Sequence, residues 1–358
     1  LHSVKIHSAN KKEDEELVSF SSQFPSEGGF KLALDRSPSY FESLLKEGFN
    51  PDIIIGRDSH SGKIVGIGHR TELNYILNGT KQRLGILSGL RLLKEFRSGI
   101  ALAKGYKKLK ELHNQKTCRG YLTTIQSENK NALKILTSAR AGLPNYHFID
   151  HLTTFIWNPT VSKEMKNLQI QIFSNSIVET YLNQSHRNHS FLSLVVPNFI
   201  EKQLNVRKFS IYTNHELIAV FSLWDQSAWK RWKILKYNDY WKVLRFFYNC
   251  WAKIRRLPSL PEVRAELSYV FLTQLKIKQS QTKYLNSILN KILEKTKEEF
   301  PNTYLCYTLA KNDPWYDTTN QIPAWKIQSH GYLVNWEAKS PISNSLQKGF
   351  SEWEAGLL

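Results

Sequence analysis

Cysteine is scarce in this chain. Its three residues, Cys118, Cys250 and Cys306, stand far apart among 358. They offer neither a zinc-ligand spacing nor a disulfide framework, and they read as buried or idle thiols in a reducing, cytoplasmic setting. Close histidines are equally rare. His186 and His189 make one pair, with no carboxylate or cysteine beside it, so a polar loop and no metal site is expected there. No apolar run approaches the ~18 residues of a membrane span. The opening LHSVKIHSAN has no apolar stretch after its basic residues, so it does not read as a signal peptide. Acids are short too, 31 Asp and Glu against 49 Lys and Arg, for a formal net charge of +18. Such a surface attracts anions, whether nucleic acid, lipid headgroups, an acidic partner or a phosphorylated cofactor. No zinc finger, helix-turn-helix or RNP signature accompanies it, so nucleic acid is disfavoured as a partner.

The hydrophobic content of 41% is that of a globular chain, and the length favours two domains. The most informative stretch is residues 84–113, LGILSGLRLLKEFRSGIALAKGYKKLKELH. It reads as an apolar strand, a basic turn with a glycine and an amphipathic helix. A strand that feeds a glycine turn into a helix N-terminus makes a phosphate cradle, because free backbone N–H groups and the helix dipole both favour an anion. Gly99 permits close backbone approach there, and Arg97 adds charge. Residues 119–126, RGYLTTIQ, read as the next strand, followed by a helix in which Asn129, Ala132 and Ile135 share a regular spacing.

These features resemble the cofactor-binding core of the GNAT acyltransferases, whose signature Q/R-x-x-G-x-G/A is followed by a strand and N-x-x-A-x-x-L/I-Y. Gly99, Ile100 and Ala101 match the second half of the first motif, while Phe96 stands where Gln or Arg is expected and the arginine falls at Arg97. Leu136 stands at the tyrosine position. The resemblance implies a mixed α/β fold in which the turn of Arg97, Ser98, Gly99, Ile100 and Ala101, with Asn129, holds acyl-coenzyme A. It also implies backbone donors from Leu90, Arg91 and Leu92 for the tetrahedral intermediate. Asn129 alternatively caps its helix, a role that asparagine favours.

Acyl transfer to an amine needs a base, because a free alkylamine is mostly protonated at neutral pH. Glu72 and His69 are the candidates on a strand predicted over 63–75. Their spacing puts them on opposite faces, so at most one lines the cleft. Glu72 is preferred, and solvation on a half-exposed strand is its bland alternative. With Leu136 in place of tyrosine, the thiolate leaves unassisted or Tyr146 substitutes as acid, although a lone tyrosine is usually packing.

The chain then repeats its plan after a linker at Trp157, Asn158, Pro159 and Thr160. Strands are predicted over 170–173, 208–213, 216–224, 266–277, 303–309 and 331–336. Helical stretches are predicted over 190–201 and 283–299, the latter with Leu285, Ile288, Leu289, Ile292 and Leu293 on one side. The turn at 278–282 has no glycine, so this half is not expected to bind acyl-coenzyme A. Inside it, residues 226–261 interleave nine aromatics with nine lysines and arginines. Three roles compete: packing, a wall of the acceptor cleft, and an interfacial membrane or nucleic-acid patch, in that order.

The sequence thus predicts two tandem GNAT-like domains, each a mostly antiparallel mixed sheet flanked by helices. Residues 1–158 bind acyl-coenzyme A, and 159–358 form a degenerate copy. The activity expected is transfer of an acetyl or other acyl group to a small-molecule or peptide amine. The alternatives are an inactive binding or regulatory protein and a basic surface-binding protein.

Overall fold

The computed structural model describes residues 3–25, 30–97, 100–114, 118–140, 142–159, 168–172, 190–195, 205–336 and 349–357. The first half runs β1 (Val4–Ser8), α1 (Asp14–Ser21), β2 (Phe30–Asp35), α2 (Tyr40–Leu45), β3 (Phe49–Asp58), β4 (Ile64–Leu77), β5 (Thr80–Leu92), α3 (Ile100–Asn114), β6 (Tyr121–Gln126), α4 (Lys130–Leu136) and β7 (Asn145–Trp157). The second begins with β8 (Leu168–Ile172), β9 (Ser190–Leu194), β10 (Val206–Thr213), β11 (Glu216–Trp224), β12 (Arg231–Tyr237) and α5 (Asp239–Arg255). It continues through β13 (Tyr269–Ile277), α6 (Leu285–Glu299), β14 (Tyr304–Ala310), α7 (Tyr316–Asn320), β15 (Trp325–Asn335) and β16 (Phe350–Ser351).

Among the described residues one sheet dominates, with its main path β1-β3-β4-β5-β6-β15-β7-β14-β13-β11-β10-β8. Read inward from its two ends, this path is the same plan twice. β1-β3-β4-β5-β6 answers β8-β10-β11-β13-β14. The closing strands are exchanged, because β15 lies against β6, and β7 lies against β14. The two exchanged strands pair with each other over their whole length, from Trp325↔Ile156 to Asn335↔Asn145. The copies are therefore consecutive in the chain but interlocked in the sheet.

In each copy the central pair is parallel and parts early. β5 and β6 share only Gly85↔Tyr121 and Ile86↔Leu122, and β13 and β14 share only three pairs, ending at Phe271↔Cys306. Both copies thus open into a V. The second V is strapped by the C-terminal segment, where Glu354 accepts a hydrogen bond from Thr273 Oγ1 at 2.6 Å and Glu352 pairs with Lys276 at 3.0 Å.

Local sequence explains most elements. α6 buries Leu285, Ile288, Leu289, Ile292 and Leu293 against the second copy's sheet, as their helical spacing requires. Ser39 caps α2 by accepting from the Glu42 N–H at 3.1 Å. The hairpin joining β3 to β4 turns at Gly62, whose φ of 69° suits glycine. Other elements answer to tertiary pairing. Residues 190–194 are strand, not helix, because they add to the β4 edge at Tyr75–Leu77 and bury Phe191 and Leu192 there; residues 196–201 of that predicted helix lie outside the described residues. β2 has no strong signal of its own and is held by β12, from Arg231↔Asp35 to Tyr237↔Phe30. Residues 226–261 thus divide into strand β12 and helix α5. Trp229 is buried beside Trp224 in a cluster that also contains Leu73 and Ile86 of the first copy, and Trp232 packs on its edge.

Candidate functional site

The first V is shaped by a bulge. On β4, Ile67 faces Arg91 and His69 faces Ser88, so Gly89 and Leu90 of β5 stand opposite Gly68 alone. Gly89 takes φ 65°, and a Cβ there would lie 2.2 Å from His69 Cε1, so the position demands glycine on both counts. Beyond Ile86, β5 has no ladder to β6. Thr123 reaches across the opening and donates to the Leu87 carbonyl at 2.8 Å. After Leu92 the chain makes one 3₁₀ turn over Lys94–Phe96 and enters α3 at Ile100.

The predicted cofactor residues fall around this opening. Leu90 is exposed at its mouth, and Arg91 folds back to donate to the Leu90 carbonyl at 3.0 Å. Arg97 is exposed and donates through Nε to the Leu92 carbonyl at 3.0 Å, which fastens the turn. Ile100 is exposed and Ala101 buried at the start of α3. Ser98 and Gly99 lie outside the described residues. Asn129 Oδ1 accepts from the Ala132 N–H at 3.1 Å and caps α4. The two departures from the family motif have a packing reason. Phe96 is buried with Val4, Val65 and Ala101, and Leu136 is buried with Tyr106, Leu109 and Ile125.

Glu72 and His69 do face opposite sides of β4. Glu72 points to the α3 side and is fully buried there. Its carboxylate accepts from Asn50 Nδ2 at 3.2 Å and lies 3.8 Å from both Arg70 and Arg83. Arg70 is itself held by Asp52 and by the Tyr121 hydroxyl, each within 2.7 Å. Tyr146 is on this side as well. Its hydroxyl meets that of Tyr106 at 2.5 Å, and burial with the Tyr106 hydroxyl raises its pKa well above the ordinary 10. In register Tyr146 is level with Val334 and hence with Tyr121, at the closed end of the V.

His69 faces the other copy. It is buried, with Nε2 2.6 Å from Ser88 Oγ and Nδ1 2.9 Å from the Tyr40 hydroxyl. A neutral imidazole has one N–H and one lone pair, so one hydroxyl donates to the ring and the other accepts from it. Around this pair lies a buried ion cluster. Arg36 grips Glu47 with two bonds of 3.0 Å and donates to Ser43 Oγ at 3.1 Å. Lys230, from the turn before β12, reaches the same carboxylate at 2.7 Å and donates to the Gly356 carbonyl at 3.1 Å. Burial pushes the Glu47 carboxyl up, but the Arg36 and Lys230 charges more than reverse this and hold it at about 2. Burial, with the Arg36, Lys230 and Arg91 charges, holds the His69 pKa well below its ordinary 6.5. His69 is therefore neutral throughout the neutral range.

The sequence brings out His69 but not its setting. Ser88 stands two residues before Leu90 in a predicted strand, and a polar side chain in that apolar run is the one available signal. Tyr40, Arg36, Glu47 and Lys230 carry no local mark. Lys230 in particular is brought in from the second copy.

No protein-family model matches the sequence, and neither does any curated protein. The fold does match solved structures. Saccharomyces cerevisiae N-myristoyltransferase with bound myristoyl-CoA superposes with a TM-score of 0.60 at 12% identity, over 95% of this chain and 80% of that one. A second structure of that enzyme with bound myristoyl-CoA gives 0.58 at 11% identity, over 95% and 84%. A third, with bound myristoyl-CoA and inhibitors, gives 0.58 at 12%, over 95% and 82%.

Proposed function

We propose that this chain, which has a GNAT-like fold in two tandem copies, is an acyl-coenzyme A-dependent N-acyltransferase. Residues 1–158 are the acyl-coenzyme A-binding half and 159–358 the partner half. The observation that carries this reading is the first V: it parts after Ile86 and Leu122, bulges at Gly89 and Leu90, and leads directly into a basic turn at a helix N-terminus. The second V has its opening strapped by Glu354 and lacks a glycine turn, so we assign the cosubstrate to the first half alone. Arg97, Ser98, Gly99, Ile100 and Ala101 would hold the pyrophosphate. The backbone of Leu90, Arg91 and Leu92 faces the reacting carbonyl. Acyl-coenzyme A supplies a thioester carbonyl to be attacked; the acyl length is open between acetyl and longer chains. The acceptor is an amine of a small molecule or peptide. A reducing cytoplasmic setting suits the free thiols Cys118, Cys250 and Cys306.

For the base we assign His69 acting through Ser88, in place of Glu72. Glu72 is committed to Arg70, Arg83 and Asn50 on the α3 side, whereas Ser88 stands on the bulged strand next to Gly89. As the new N–C bond forms, the nitrogen passes its proton to Ser88 Oγ while the Ser88 proton moves to His69 Nε2. The Tyr40 hydroxyl at Nδ1 fixes the ring, and the charge of Glu47 eases the imidazolium. Near pH 7 the imidazole is neutral with a lone pair free at Nε2, and burial with the Arg36, Lys230 and Arg91 charges makes it a weaker base than a free histidine. Tyr146 packs α3 in this reading, and the thiolate leaves unassisted.

The test is turnover with acetyl-coenzyme A and longer acyl-coenzymes A across a panel of amines, in the unmodified chain and in His69→Gln and Glu72→Gln. His69→Gln should lower kcat by about 10²–10⁴-fold, the ordinary range for a general base, with KM for acyl-coenzyme A unchanged. A larger kcat loss in Glu72→Gln overturns the assignment of the base. Absence of acyl-coenzyme A binding by calorimetry overturns the function.

A further inference from the structure

The helix α5 turns its apolar side outward. Tyr240, Val243, Phe247, Trp251 and Ile254 succeed one another by three, four, four and three residues, which places them on one face of an α-helix. Phe246 and the Cys250 thiol widen that face. Val243 is 62% exposed, Phe247 64% and Ile254 81%. The opposite side is already satisfied. Tyr248 donates to the Pro258 carbonyl at 3.0 Å, and the Asn249 side chain donates to the Leu260 carbonyl at 2.9 Å and accepts from its N–H at 2.8 Å. Ala252 is buried. The outward face is thus not a spare part of the core. A contiguous apolar face of this size on a charged protein marks a binding surface.

Charge decides what it binds. Lys242 and Lys253 border one edge of the face and Arg255 the other, with Arg256 at the C-terminal cap. Lys253, Arg255 and Arg256 are exposed and meet no carboxylate among the described residues. The nearby acids are engaged, Asp239 by Lys242 at 2.8 Å and Glu262 by Arg245 at 3.6 Å. A second copy docked on this face about a two-fold axis would set these cations against themselves. An anionic lipid surface supplies the missing charge and accepts bulky aromatics between its headgroups. We propose that α5 is an interfacial helix that seats the protein on an anionic membrane, lying in the surface and not crossing it. This stands apart from the acyl-transfer reading.

The test uses the full chain and vesicles of phosphatidylcholine with about one-third phosphatidylserine. The chain should sediment with these vesicles and not with pure phosphatidylcholine, and binding should vanish near ~1 M salt, where screening falls to about 3 Å. Brominated acyl chains should quench Trp251 in the unmodified chain. The exposed pair Phe247→Glu and Ile254→Glu should weaken binding at least about tenfold with the melting temperature unchanged, and Lys253→Glu should weaken it about fivefold or more. Failure to sediment, absence of quenching, or binding indifferent to the Phe247 and Ile254 changes overturns the proposal. A stable dimer in light scattering that the same two changes split assigns the face to a second copy and overturns it as well.

Discussion

Glu47→Gln isolates the buried ion cluster beside the V. The carboxylate is 5% exposed, and its partners Arg36 and Lys230 are 3% and 2% exposed. Burial opposes its ionisation, and the two cations outweigh burial, taking the pKa from an ordinary 4.5 to about 2. By linkage that displacement corresponds to about 3 kcal/mol, at about 1.4 kcal/mol per pH unit. The folded value lies below the unfolded one. The stabilisation is therefore complete above about pH 4.5 and is lost as the pH falls toward 2. Glutamine keeps the shape and one acceptor but leaves two buried cations without a counter-charge, and breaking a buried pair in this way costs about 3–5 kcal/mol. Urea unfolding followed by tryptophan fluorescence should show a loss of that size at pH 7, with the gap between variant and parent narrowing below pH 4.5. The triple change Arg36→Met, Glu47→Leu, Lys230→Met removes every charge at once and should be close to neutral in stability. A loss under ~1 kcal/mol for Glu47→Gln at pH 7, or a gap that persists at low pH, refutes the account of the cluster.

Two further outcomes bear on the other assignments. Gly99→Asp sets a carboxylate in the turn assigned to the pyrophosphate and should abolish acyl-coenzyme A binding in calorimetry; a folded variant with unchanged affinity removes that assignment. Trp229→Ala with Trp232→Ala empties part of the cluster between the copies and should lower stability by about 3–5 kcal/mol for the buried Trp229, with less for its half-buried neighbour. Measured by denaturant midpoint, a change under about 1 kcal/mol would contradict the burial of Trp229.

The sequence by itself determined what is local. The strand predicted over 63–75 falls within β4, and helical spacing marks α6 through Leu285, Ile288, Leu289, Ile292 and Leu293. The order of strand, basic turn and helix at 84–113 was enough to point to a GNAT-like fold, and the repeat of strands and helices after residue 160 to its duplication. Tertiary structure decided whatever depends on partners distant in the chain. Residues 190–194 are strand because the β4 edge supplies a ladder that a helix there would forgo. β2 exists because β12 pairs with it. The exchange of β7 and β15 has no signature in either strand, since each looks the same whichever neighbour it meets. The settings of Glu72 and His69 are of the same kind. Strand alternation puts them on opposite faces, but only the packing of the copies shows that one face meets Arg70 beneath α3 and the other meets Ser88, Tyr40 and a lysine contributed from beyond residue 226. A side chain's polarity is written in the sequence; the charges that surround it after folding are set by contacts between residues far apart in the chain.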